Sequence, residues 1–292
     1  MATAREWLEG ARPRTLGAAI APVAVGTGVA ASLDSANFLR AGLALVVMVA
    51  AQVGANYAND YSDGIRGTDR VRVGPVRLVG QGLAAAPQVR RVALLNLLVS
   101  AVAGLALVTL TGEWWLLLVG ACALLAAWLY TGGPRPYGYL GLGEVFVFAF
   151  FGVIPVVGTA YVQTLAMTTA AWVASAGVGA LACAVLVANN LRDIPTDAQA
   201  GKRTLAVRFG DRPTRVGYVA LVVSSFAIVV ALSVGLSLTW AWIALGAGAL
   251  AVRPLTEVAR GATGPGLIPV LQGTGLLVLT YGLLLGLGLA LS

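Results

Sequence analysis

Apolar runs, many about as long as a bilayer is thick, recur along the whole chain, separated by short clusters rich in Arg, Asp, Gly and Pro. Read as helices, they predict about nine spans, over 15–32, 41–61, 90–110, 114–131, 140–160, 170–191, 215–234, 237–252 and 268–290. The polar positions are unevenly shared among them. Spans two and six end in acids and carboxamides, whereas spans seven to nine carry almost no polar chemistry. The expected fold is an all-α polytopic membrane protein, with about nine transmembrane helices around a central cavity. Residues 1–292 read as a single domain with no room for a separate soluble one.

Composition sharpens this reading. The chain is 59% hydrophobic and 11% charged, against about 25% charged for a soluble protein. The 37 glycines fit close helix packing in lipid. The net charge is +7, and its placement is more informative than its size. Of the 19 basic residues, all but Arg40 fall in the N-terminal tail or in the connections 62–91, 132–139, 192–215 and 253–267. By the positive-inside rule these face the cytoplasm, so the expected location is the cell membrane, with the N-terminus and the cavity mouth cytoplasmic. Trp114, Trp115, Trp172, Trp240 and Trp242 sit at the opposite span ends, where an aromatic belt belongs. The basic excess is thus a topology signal, and no nucleic-acid partner is needed to explain it. There is no histidine, which excludes histidine metal sites, histidine bases and Ser-His-Asp triads. Cys122 and Cys183 lie inside apolar spans and imply neither a disulfide nor a CxxC site. No cleavable signal peptide is evident, and the first apolar run reads as a retained span.

The chemistry gathers at two places. On a helix, Asn56, Asn59, Asp60 and Asp63 fall at offsets 0, 3, 4 and 7 and share one face. At the end of span six, Asn189, Asp193 and Asp197 follow i, i+4, i+8 spacing, with Pro195 between the acids expected to kink or end the helix. A carboxylate costs about 2.5–3.5 kcal/mol at the centre of a membrane helix, so these acids need water or a partner. One such cluster also fits a helix end among lipid headgroups. Two clusters on same-side span ends, each followed by a long basic connection, favour a shared site. Stacked oxygen donors suit a hard cation such as Mg²⁺.

The connections 62–89 and 192–214 mix apolar and basic residues and are expected to fold as caps over the mouth. Their Arg66, Arg70, Arg72, Arg77, Lys202 and Arg203, with Arg192, would balance a diphosphate held through Mg²⁺. The arginines of Arg12-Pro13-Arg14-Thr15-Leu16 either anchor the interface or reach an anionic ligand. Glu144, near the start of span five, is either a functional group or an exposed interface residue.

These residues resemble a known family, the UbiA-type intramembrane aromatic prenyltransferases. Asn59-Asp60-Tyr61-Ser62-Asp63 is similar to the start of the first family motif, Asn-Asp-x-x-Asp-x-x-x-Asp. Gly67 stands at its last Asp, and Asp69 follows two residues later. Asp193, Asp197 and Gly201 match the second motif. The surrounding residues, with Arg12-Pro13-Arg14 and Tyr130-Thr131-Gly132-Gly133-Pro134, look most like the MenA branch, which prenylates 1,4-dihydroxy-2-naphthoate with loss of its carboxylate during menaquinone synthesis. Pro134 takes the place of a lysine common in the family, and Arg135 follows it. The resemblance implies a polyprenyl diphosphate donor, a dihydroxynaphthoate acceptor and Mg²⁺. It implies metal ligands at Asn59, Asp63, Asp69, Asp193 and Asp197, with Asp60 assisting. It also implies catalytic roles for Asp60, Asp63, Asp193 and Asp197. Substrate contacts are expected from Asn56, Arg66, Arg77, Asn189, Lys202, Arg203, Tyr130 and Arg135.

Two other readings stay open: a related prenyltransferase with another aromatic acceptor, and a cation-coupled transporter. Transporter sites usually lie at broken helices near the bilayer midplane, whereas these acids lie at span ends.

Overall fold

The computed structural model describes residues 2–67 and 76–292. Its helices are α1 (Ala4–Gly10), α2 (Gly17–Ala31), α3 (Phe38–Arg66), α4 (Ala86–Thr111), α5 (Leu116–Leu129) and α6 (Gly143–Val147). A π-helical segment, Phe148–Val153, joins α6 to α7 (Ile154–Thr164). There follow α8 (Thr169–Gln199), α9 (Leu205–Phe209), α10 (Asp211–Val230), α11 (Gly248–Ala259) and α12 (Ile268–Ala290). A 3-10 stretch, Thr239–Ala247, leads into α11. Among the described residues there is no strand.

Helix covers all nine expected spans, but length separates them. Among the described residues, six rods are long and apolar enough to cross a membrane: Phe38–Arg66, Ala86–Thr111, Gly143–Thr164, Thr169–Gln199, Asp211–Gly235 and Gly264–Ala290. A seventh counts if Ala4–Thr15 and Gly17–Ala31, bent by 47°, make one span. At 1.5 Å per residue, the 15 residues of α2 reach only about 22 Å and the 14 of α5 less. Hydropathy finds apolar runs; it does not show whether each crosses alone.

The helices that carry the acids outlast their apolar stretches. The Asn37 side chain caps α3 by accepting from Arg40 N at 3.0 Å, and Gly67 closes it in the left-handed region at φ 73°. Thr168 caps α8 in the same way. The kink or stop expected at Pro195 does not end α8, which continues to Gln199. The last three turns of both helices therefore hold the polar clusters on regular helical faces.

The core lies among α2, α7, α8, α10, α11 and α12, around Val178, Leu181, Tyr218, Leu277 and Tyr281. Small residues set its tightest contact. A Cβ on Gly28 would lie 2.2 Å from the Gly286 carbonyl oxygen, and one on Gly282 would lie 2.3 Å from Ala21 Cβ. Backbones of α2 and α12 thus meet directly, as small residues allow in a membrane. A second cluster packs fully buried Leu78 against Tyr57, Val89 and Ala93, with Trp7 and Trp128 beside them. The chain around residue 78 is thereby tucked in beside α1, α3 and α4.

Candidate active site

A cavity of about 690 Å³ opens where the ends of α3 and α8 meet the start of α2 and the base of α12. Asn56, Asn59 and Asp63 face it from α3, and Asn189, Asn190, Arg192 and Asp197 from α8. Arg77, Tyr130, Thr131, Tyr139, Lys202 and the Arg12–Thr15 turn complete the polar wall. Ala18, Val147, Phe151, Ala182, Val185, Leu186, Leu271 and Val278 form an apolar floor. One end of the chamber can hold charge, and the other can hold a hydrocarbon or an aromatic ring.

At the charged end the two helices meet through a lysine. Lys202 Nζ stands 3.8 Å from Asp63 Oδ2 and 3.8 Å from Asp197 Oδ1. Both carboxylates are nearly sealed from solvent, at 2% and 6% exposure. The Tyr139 hydroxyl donates to Asp63 Oδ1 at 2.5 Å, and the Tyr139 ring lies 4.5 Å from the Lys202 ammonium. The Thr131 hydroxyl donates to Asn59 Oδ1 at 2.8 Å. Asn56 Nδ2 donates to the Ala11 carbonyl at 2.9 Å, tying the N-terminal segment to α3. Beside the chamber, Tyr137 stacks on Phe146 and donates to the Ala126 carbonyl. Burial pushes its phenol pKa upward, so it remains a donor.

Several expected residues lie off the cavity wall. Asp60 is 100° around the helix from Asn59 and turns to the neighbouring chain, accepting from Leu78 N at 2.7 Å and Val79 N at 3.1 Å. It fastens the segment beside the cavity. Asp193 is also off the wall; Arg192 takes it in a bidentate pair, with Nε to Oδ1 at 2.6 Å and Nη2 to Oδ2 at 2.8 Å. The same guanidinium donates to Asn189 Oδ1 at 2.8 Å. Arg66 binds the carbonyls of Thr131 and Gly133. The side chains of Arg135 and Arg203 are exposed and outside the cavity, although Arg203 N donates to the Tyr139 carbonyl at 2.8 Å. Asp69 lies outside the described residues. Glu144 is half-buried and accepts from Asn190 Nδ2 at 3.0 Å.

Tyr139 and Thr131 were not expected in the site. Both come from the Gly- and Pro-rich connection after α5, where substrate contacts were expected from Tyr130 and Arg135 instead. The Arg12–Thr15 turn carried a weak signal, since arginines beside a span were open to anion binding. Arg12 adopts φ 56°, an uncommon conformation for a non-glycine residue.

Among the described residues, no three of His, Cys, Asp and Glu stand together as a metal cage. Among the oxygen donors on the cavity wall are two carboxylates from the helix ends, Asp63 and Asp197, and the carboxamides of Asn59 and Asn189. That set fits Mg²⁺, which keeps several waters and is commonly bound by one or two carboxylates plus substrate phosphates.

Buried acids and basic groups facing each other above an apolar chamber, at the ends of membrane-length helices, define a membrane-embedded enzyme for an amphiphilic, anionic substrate. Residues 19–264 match the model of the UbiA prenyltransferase family, and the chain belongs to that family. It is 51% identical over 292 residues to a 1,4-dihydroxy-2-naphthoate octaprenyltransferase of Mycobacterium leprae, covering 100% of this chain and 98% of that protein. The protein of the same description from Escherichia coli is 36% identical, over 98% of this chain and 95% of its own length. Among solved structures, a UbiA homolog from Archaeoglobus fulgidus bound to DMAPP and Mg²⁺ superimposes with a TM-score of 0.62 at 16% identity, over 96% of this chain and 99% of that one. The apo UbiA homolog from Aeropyrum pernix K1 reaches 0.70 at 14% identity, over 93% of this chain and 96% of its own. These two likenesses establish the fold.

Proposed function

We propose that this chain transfers a polyprenyl group from its diphosphate to 1,4-dihydroxy-2-naphthoate, with release of CO₂, as the prenylation step of menaquinone synthesis. The observation that carries the reading is the meeting of Asp63, Asp197 and Lys202 over an apolar floor. The full-length similarity to proteins described as 1,4-dihydroxy-2-naphthoate octaprenyltransferases supplies the acceptor. The cavity mouth faces the cytoplasm of the cell membrane in this reading, on the side to which the positive-inside rule assigns the basic connections.

The chemistry follows from the two ends of the chamber. The allylic carbon–oxygen bond of the donor breaks, and the diphosphate leaves with the electron pair. The acceptor's carboxylate-bearing ring carbon forms the new carbon–carbon bond, and loss of CO₂ from that carbon returns its electron pair and restores the aromatic ring. Mg²⁺ held by Asp63, Asp197, Asn59 and Asn189 would neutralise the leaving diphosphate. Lys202, Arg77 and Arg192 on the cavity wall meet the remaining negative charge of diphosphate or of the acceptor carboxylate. The apolar floor, with Phe151 and Val147, keeps water from the allylic cation. Asp60 and Asp193 act one step removed, through the 78–79 backbone and through Arg192.

The deciding experiment supplies purified protein with prenyl diphosphates, Mg²⁺ and a panel of aromatic acids, and reads the products by mass spectrometry. Prenylated product from dihydroxynaphthoate with CO₂ release, abolished by EDTA, is expected. Product only from another acid would reassign the acceptor. Cation flux in liposomes without any prenylated product would replace the reading with transport.

A further inference from the structure

Tyr139 belongs to neither acid-bearing helix, yet it touches groups at or beyond the ends of both. It sits on the 3-10 turn Tyr137–Leu140, between α5 and α6. Its hydroxyl holds Asp63 Oδ1 at 2.5 Å, while Lys202 lies over its ring at 4.5 Å. The Arg66 guanidinium, from the end of α3, lies 5.6 Å from the same ring. Arg203, beyond α8, donates its backbone N–H to the Tyr139 carbonyl at 2.8 Å.

A carboxylate can rotate about its last bond, and a short O–H···O⁻ bond to one oxygen stops that rotation. With Oδ1 held by Tyr139, Asp63 Oδ2 is the oxygen turned to Lys202. The ammonium has a flexible four-carbon stem, and the ring face gives it a preferred seat by cation–π attraction. That seat is equidistant from Asp63 and Asp197, at 3.8 Å from each. One side chain therefore contacts both the acid of α3 and a cation between α3 and α8.

We propose that Tyr139 is a positioning residue for the diphosphate site: its hydroxyl sets the Asp63 carboxylate and its ring sets Lys202, so that the two helix ends present one aligned gap for a cation and an anion. This rests on the reading of Asp63 and Asp197 as cation-binding groups. Removing a group that orients a metal ligand typically weakens metal affinity 10- to 100-fold.

The test uses the purified full chain, with Mn²⁺ binding followed by electron paramagnetic resonance and Mg²⁺-dependent thermal stabilisation followed in parallel. Tyr139→Phe removes only the hydroxyl. It should raise the half-saturating concentration of either metal roughly 10-fold or more, while melting as the wild type does in EDTA. At saturating Mg²⁺ its KM for prenyl diphosphate should stay near wild type. Tyr139→Leu also removes the ring, and should raise that KM several-fold in addition. Metal half-saturation within about twofold of wild type in Tyr139→Phe would overturn the proposal, being far below the effect of losing an orienting partner. Asp63→Asn separates the two layers of the argument. Wild-type Mn²⁺ binding by Asp63→Asn would sink the metal reading itself. Weakened binding there, with unchanged binding in Tyr139→Phe, would sink only the role of Tyr139.

Discussion

Arg192 and Asp193 are sequence neighbours locked face to face, through two parallel hydrogen bonds of 2.6 and 2.8 Å with both side chains about 5% exposed or less. The pair holds more than itself, because the same guanidinium donates to Asn189 at the cavity wall. Asp193→Asn would leave a buried guanidinium without its counter-charge. Breaking one partner of a buried pair costs about 3–5 kcal/mol. The variant should therefore unfold at lower temperature or denaturant and lose activity through a misplaced Asn189. Replacing both residues with apolar ones should restore much of the stability and none of the activity. A stable, active Asp193→Asn protein would show that Asp193 does not hold the α8 end in place.

Asp63→Asn is expected to behave differently. Asp63 faces the cavity and Lys202, so the loss falls on chemistry. Turnover should drop by roughly 10²–10³-fold, the scale of removing one group that stabilises transition-state charge. Its melting behaviour in EDTA should stay close to wild type. Near-normal turnover would remove Asp63 from the reacting end of the chamber.

Lys202→Ala should act chiefly on donor affinity. The ammonium is a cation placed between the two acids, and diphosphate is an anion it can meet. KM for the prenyl diphosphate should rise by about tenfold or more, the loss of one charge-assisted contact, with a smaller fall in kcat. An unchanged KM would assign Lys202 to structure alone.

Asp60 offers a contrast within the same helix turn. Asp60→Ala removes the acceptor of both Leu78 N and Val79 N. Each buried N–H left unsatisfied costs about 1–3 kcal/mol. Hydrogen exchange and proteolysis should accelerate around residues 76–84, and activity should fall as that segment loosens. Full protection there, with activity lost, would mean that Asp60 acts on substrate.

The α2–α12 contact is open to a test of packing. A Cβ on Gly28 would meet Gly286 backbone atoms at 2.2 and 2.8 Å, which no side-chain rotation relieves. Gly28→Val should force these helices apart and lower the melting temperature, by the 1–3 kcal/mol typical of overpacking or more. Gly42→Val, with open space around it, is the matched control and should be near neutral.

The pattern of apolar runs and the grouping of acids were legible without coordinates, because both are properties of the chain read locally. Hydropathy fixes the solvent in which a segment is stable, and helical spacing fixes which residues share a face. On those grounds the membrane fold and the pairing of the α3 and α8 ends could be stated in advance, while Lys202 and Asp197 were placed there by charge balance and by the family resemblance. Local spacing could not say how each face is rotated towards its neighbours. A difference of 100° sends Asn59 to the cavity and Asp60 to the Leu78–Val79 backbone. The choice of Arg192 as the partner of Asp193, the Tyr139 hydroxyl on Asp63, and the backbone contact of Gly28 with Gly286 likewise depend on tertiary packing. Two residues 76 positions apart, such as Asp63 and Tyr139, meet only once packing has set the angles between helices. Sequence determined which groups would be near the mouth and in what medium. The tertiary structure decided which of them face one another, because that depends on helix rotation and crossing, which no periodicity along a single chain encodes.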